Sequence, residues 1–187
     1  MHDQRPAYTG VGSRKTPEPI LVLMQTLAQA LSSLGFTLRS GAAEGADSAF
    51  EAGSGEAKEI YLPWRGFNGN SSQFYVITDE ALELAAKVHP AWNRLSPAAR
   101  KLHARNCYQV LGAALDAPSQ FLVCWTPDGA VHPRECTRAT GGTGTAIRLA
   151  ALYGVPVFNL SRADHRERAE EYVAAAPCTS LRGATLI

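Results

Sequence analysis

Residues 140–158, TGGTGTAIRLAALYGVPVF, constrain what the chain can fold into more than any other stretch. Gly141, Gly142 and Gly144 are interleaved with Thr140, Thr143 and Thr145. A helical apolar pattern follows through Ile147, Leu149, Ala150 and Ala151, and after Gly154 residues 155–160 read as a strand. A glycine loop that opens a helix presents free backbone N–H groups and the positive end of the helix dipole. Without a Cβ in the way, an anion can approach that backbone closely. The stretch therefore predicts an anion-binding loop built into an alternation of helix and strand.

The rest of the chain keeps this alternation, the signature of a parallel α/β sheet. Residues 7–11 are the first predicted strand, ending in Gly12-Ser13-Arg14-Lys15. Thr16 is expected to cap, and Pro17 to open, a helix whose apolar stripe is Ile20, Leu23, Met24, Leu27, Leu31 and Leu34, stopped by Gly35. A strand at 36–39 runs into SGAAEGADSAFEAG, where Gly41 and Gly45 flank a tight turn before a short helix. Residues 60–62 form a third strand, ended by Pro63. Residues 64–80 read as an ordered loop of the kind that often carries function, with a helix from 78 or 79 to 87. Segment 64–95 is thus an irregular insertion between strands. Ser96-Pro97 opens a helix carrying Leu102, Val110, Leu111 and Leu115, and 121–125 is an interior strand. A polar connection over 126–140 leads to the glycine loop, and Ser161 is expected to cap a last helix. The predicted fold class is α/β, one Rossmann-like domain over residues 1–187 with a mostly parallel open sheet flanked by helices.

Composition excludes several classes. Eighteen basic residues against 17 acidic ones leave a net charge of +1, which argues against a strongly basic nucleic-acid binder but permits a local patch. No apolar run approaches a membrane span, and MHDQRPAYTG lacks the apolar core of a signal peptide, so a cytoplasmic protein without a membrane partner is expected. Cys107, Cys124, Cys136 and Cys178 form no CxxC pair and read as reduced thiols. The five histidines are dispersed. No metal site and no cofactor are predicted.

Three glycine turns, GVGSRK, SGAAEG and TGGTGT, each follow a predicted strand, and ligands of open parallel sheets bind outside the carboxyl ends of the strands. The three are expected to converge on one crevice. No Gly-Lys-Ser/Thr follows at P-loop spacing, and no GxGxxG with a ribose-binding acid occurs. Gly12, Ser13, Arg14 and Lys15 are candidates for a phosphate, or a solvated turn. Gly141, Gly142, Thr143, Gly144 and Thr145 would supply the backbone cradle. Ser40 and Gly41 open the second turn, where Glu44 could meet ribose hydroxyls and Asp47 is better placed as a helix cap. Trp64 and Phe67 could stack a base or belong to the core. Arg105 and Asn106 sit on a predicted helix, where spacing alone fits solvation as well as function. Cys124 reads as packing. No Ser/His/Asp or Cys/His constellation is present, so no catalytic residue is predicted.

In order, GVGSRKTP, SGAAEGADSAF, ARNCYQVLG and TGGTGTAIRLAALYGVPVF resemble the Rossmann-like core of the DprA/Smf DNA-processing family. More broadly they resemble the superfamily that includes the LOG-type nucleotide hydrolases. The likeness covers most of the chain apart from residues 64–95 and the C-terminal tail. Gly142-Thr143-Gly144 stands where that family usually carries an SGS-type turn, and Arg105-Asn106-Cys107 where it carries RNR. Relative to the LOG-type PGGxGTxxE, Thr140 replaces the proline and Arg148 the catalytic glutamate, with Glu135 the nearest rival carboxylate. The resemblance therefore implies holding an anion more than N-glycosidic hydrolysis. The expected function is to bind a phosphate-bearing nucleotide or nucleotide-derived signal in the strand-end crevice. The protein would act as a sensor or as a sequestering protein of a phage or mobile element, and as a homo-oligomer. The alternatives are a DprA-like single-stranded DNA binder and a LOG-type hydrolase.

Overall fold

The structure is a computed structural model that describes residues 5–176; Cys178 lies outside them. Five strands, β1 (Ala7–Gly10), β2 (Thr37–Ser40), β3 (Lys58–Ile60), β4 (Leu122–Cys124) and β5 (Val157–Asn159), form one sheet in the order β3-β2-β1-β4-β5. Every pairing is parallel, with Tyr8 opposite Leu38, Thr9 opposite Leu122 and Val123 opposite Phe158. The fold is therefore the expected α/β architecture, flanked by α1 (Glu18–Ser33), α2 (Ala46–Gly53), α3 (Asp79–Val88), α4 (Pro97–Leu111), α5 (Thr143–Leu152) and α6 (Ala163–Ala175).

Both faces of the sheet are covered, which is why the strands read as continuous apolar runs. On one face Tyr8, Leu38, Ile60 and Val123 pack with Met24 and Leu27 of α1, Phe50 of α2 and Ala169 of α6. On the other, Leu122 and Cys124 pack with Ala81 of α3, Val110 and Leu111 of α4, and Ile147 and Leu149 of α5. Each fully buried side chain of the size of Leu38 or Phe50 contributes about 1.5–3 kcal/mol of transfer free energy. Among the described residues no helix is long and apolar enough to cross a membrane.

Several local expectations change for physical reasons. Pro17, in extended conformation, precedes α1, and the Thr16 hydroxyl donates to the Ser13 carbonyl at 2.7 Å. Thr16 thus closes the β1–α1 turn and does not cap the helix. Leu34 lies past the last turn of α1 and is exposed. Gly112, at φ +75°, ends α4, so Leu115 falls outside the helix. Arg162, with no side-chain cap, precedes α6 in place of Ser161. Ser96 caps α4 as expected, accepting from the Ala99 N–H, and the structure adds Thr78 as the cap of α3, accepting from the Ala81 N–H. Residues 64–95 lie along the sheet edge and over α4. The Leu62 N–H donates to the Phe74 carbonyl at 2.7 Å, and α3, with 3-10 helices at Phe67–Gly69 and Trp92–Arg94 on either side, packs on α4.

Candidate functional site

The strand order reverses between β1, whose neighbours run on to β2 and β3, and β4, which runs on to β5. That reversal opens a crevice at the carboxyl ends of the strands. It is a cleft of about 510 Å³ lined by Gly12, Ser13, Arg14 and Lys15 after β1, by one flank of α4, and by residues 138–143 ahead of and within α5.

The glycine loop is held from two sides. Ahead of it, the Asp128 carboxylate accepts from the Thr137 N–H at 3.2 Å, from the Thr137 hydroxyl at 2.7 Å and from the Thr140 hydroxyl. Partial burial alone would raise the Asp128 pKa, but the hydroxyls of Thr140, Thr137 and Thr126 and the Thr137 N–H draw it well below the usual carboxylate range. The chain then passes through Gly141 at φ +60°, a conformation that favours glycine, and enters α5 at Gly142. From the side, the Asn106 amide donates to the Gly142 carbonyl at 3.0 Å, and His103 Nδ1 pairs with the Thr145 hydroxyl at 2.8 Å. At the start of α5 the Gly144 and Thr145 N–H groups donate to the Gly141 and Gly142 carbonyls, both at 3.2 Å, while Gly142 and Thr143 stand at the cleft wall with the positive end of the helix dipole. A Cβ at Gly142 would meet nothing within 4 Å, so this edge faces open space.

The floor comes from α4 and α2. Arg105 donates to the Gly41 carbonyl at 2.5 Å and to Asn106 Oδ1 at 3.4 Å, stands 4.0 Å from Asp47 Oδ2, and lies over the Phe67 ring at 5.8 Å. Burial lowers the Arg105 pKa, and Asp47 opposes that shift. Burial likewise raises the Asp47 pKa against Arg105 and the N–H groups of Ala43 and Gly12. His103 is pushed down to about 4 by burial and by the charges of His89, Arg105 and Arg148, so at neutral pH it is uncharged.

The structure brings nine of the sequence-predicted residues to the cleft wall: Gly12, Ser13, Arg14, Lys15, Arg105, Asn106, Gly141, Gly142 and Thr143. Arg105 and Asn106, only 8% and 5% exposed, are not a solvated helix face. The other predicted residues stand elsewhere. The Ser40 hydroxyl donates to the Gly10 carbonyl and is buried between strands. Gly41 serves as the acceptor for Arg105. A side chain at Gly41 would collide with Arg105 and Gln109, which explains the glycine. Glu44 opens on a separate shallow cleft with Asn68 and Asn70. Phe67 is buried in the core under Arg105, and Trp64 packs edge-on against it at 5.2 Å, so neither lines the cleft. Gly144 lies against Arg148, and Thr145 is occupied by His103. Of the three glycine turns, two line the cleft and the second contributes Ala43 alone. TGGTGT also does not follow a strand directly: 3-10 helices at Pro133–Glu135 and Arg138–Thr140 intervene. Sequence reasoning missed His103, Gln109 and Arg138, and gave Asp47 a capping role although it lines the floor.

No protein-family model and no curated protein matches the chain. Among solved structures it is similar to DNA processing protein A from Helicobacter pylori, described for a unique mode of single-stranded DNA binding. The TM-score is 0.55 at 17% identity, over 89% of this chain and 72% of that one. The chain therefore has a DprA-like fold. The broader likeness to LOG-type hydrolases gains no support from these matches.

Proposed function

We propose that this protein binds single-stranded DNA without catalysing a reaction on it, seating a backbone phosphate at the cleft. One observation carries the reading. The N-terminus of α5 opens onto a rim with Arg14, Lys15 and Arg138, and among the described residues none of the three is paired with a carboxylate. Unpaired cations beside a helix N-terminus form a phosphate site, as point charges and as directional donors. The fold shared with a protein described for single-stranded DNA binding supports nucleic acid as the source of that phosphate.

A free nucleotide is the second reading, favoured by the size of the cleft, which suits a single nucleotide-sized ligand. Hydrolysis of the N-glycosidic bond has less support. Arg148 stands one turn into α5, where an acid would be needed, and Glu135 is committed to the Val131 and His132 N–H groups and to Arg162.

Fluorescence anisotropy with a labelled oligonucleotide, competed by nucleoside monophosphates, tests both readings. Saturable binding of the oligonucleotide that monophosphates displace only weakly is the expected result. Displacement at stoichiometric monophosphate would favour the free nucleotide, and no binding of either would end the proposal.

A further inference from the structure

Below its cationic rim the cleft has a second chemical character. Gln109 is completely buried, and neither atom of its side-chain amide has a hydrogen-bond partner among the described residues. Asp47 Oδ2, which has the Arg105 guanidinium at 4.0 Å as an ion-pair partner, and Arg105 Nε are also buried and accept or donate no hydrogen bond among the described residues. All three residues line the cleft. The Gln109 amide stands near enough to the Asp47 carboxylate to act on its charge, yet outside hydrogen-bond geometry. Buried polar groups in folded proteins are almost always hydrogen-bonded, because leaving one unpaired forfeits its hydration with no return. Four such atoms gathered beneath one cleft mark where the polar atoms of an occupant belong.

The chemistry of that occupant follows from the set. A phosphate does not suit it, since Asp47 would repel the charge. Two acceptors, Asp47 Oδ2 and Gln109 Oε1, and two donors, Arg105 Nε and Gln109 Nε2, suit a flat neutral group with both functions along one edge. An exocyclic amine with an adjacent ring nitrogen offers two N–H donors beside an acceptor. The thymine edge offers one N–H between two carbonyls, which leaves one floor acceptor without a donor.

We propose that Asp47, Arg105 and Gln109 read the amino-bearing edge of a nucleobase, cytosine before thymine, in the nucleotide whose phosphate sits at the rim. This rests on the nucleic-acid reading above and adds a base preference to it. Phosphate at the rim and base at the floor also fix the ligand's polarity in the cleft.

Labelled oligo-dC and oligo-dT of equal length, titrated by anisotropy, test the inference with two pyrimidines of similar size. Oligo-dC is expected to bind roughly tenfold tighter, in the range that one good base-reading pair supplies. Gln109→Met keeps the volume and removes both amide atoms, and should bring oligo-dC down to the oligo-dT level. Its thermal midpoint should be unchanged or higher, because an unpaired buried amide has been replaced by an apolar group. Asp47→Asn, which exchanges an acceptor for a donor, should also erase the preference, and it serves if Gln109→Met fails to fold. Equal binding of the two oligonucleotides by the unmodified protein overturns the inference and leaves the nucleic-acid reading standing. A folded Gln109→Met protein that keeps the preference overturns it too. Binding of neither oligonucleotide removes the nucleic-acid reading itself.

Discussion

His103 is the residue whose chemistry depends most on its surroundings. Its ring lies 4.3 Å from that of His89, with Thr145 on Nδ1 and with Arg105 and Arg148 close enough to disfavour a further positive charge. Its pKa in the folded protein is about 4, against an ordinary 6.5, so between those values the unfolded chain binds more protons than the folded one. Stability should fall as pH drops from 6.5 towards 4. Burial first and then Arg148 shift His89 in the same direction. Denaturant midpoints measured across this window should lose a clear part of their pH slope in His103→Gln. A slope unchanged by that substitution would show that His103 does not carry it. A bound phosphate reverses the local charge and favours the imidazolium, so ligand affinity should rise over the same fall in pH.

At the scale of elements, the segment between β4 and α5 determines what the cleft can hold. Asp128 ties Thr137 and Thr140 into a closed turn, and that turn aims the start of α5. Asp128→Ala removes one acceptor shared by three donors and should cost about 1–2 kcal/mol of stability by chemical denaturation, with weaker ligand binding. Gly142→Leu tests the other end of the segment. Its backbone is already helical and a Cβ meets no neighbour, so circular dichroism and thermal midpoint should stay as they are. The leucine would fill the mouth in front of the α5 N–H groups, and oligonucleotide affinity should fall about tenfold or more, equivalent to about 1.4 kcal/mol. Much of this architecture was legible from residues alone, because glycine turns, the Ser96 cap and apolar strands are local signals. The wall of the cleft was less so. Arg105, His103 and Gln109 share one helix, and which of them turns inward depends on how α4 packs against the sheet and α5, information no window of sequence contains. Trp64 and Phe67 stand away from the cleft for the same reason: their aromatic character was readable, while the core beneath Arg105 that takes Phe67 was not.

Over the whole molecule, near-neutral charge coexists with a concentrated cationic rim. Eighteen basic and 17 acidic residues nearly cancel, so little long-range attraction for a polyanion is expected away from Arg14, Lys15 and Arg138. Three phosphate-neutralising cations on a single strand imply a slope of log affinity against log salt of about −2. Replacing Arg14 with alanine should make that slope shallower by about 0.7. Anisotropy titrations from low to physiological salt measure both values. A slope near zero would mean that phosphate contacts contribute nothing. The parallel arrangement of the strands has one more practical result. All five carboxyl ends point to the cleft side, so the start of β1 at Ala7 lies at the opposite pole. A tether attached ahead of Ala7 would hold the molecule on a sensor chip or bead with its mouth turned outward, free to take a long strand from solution.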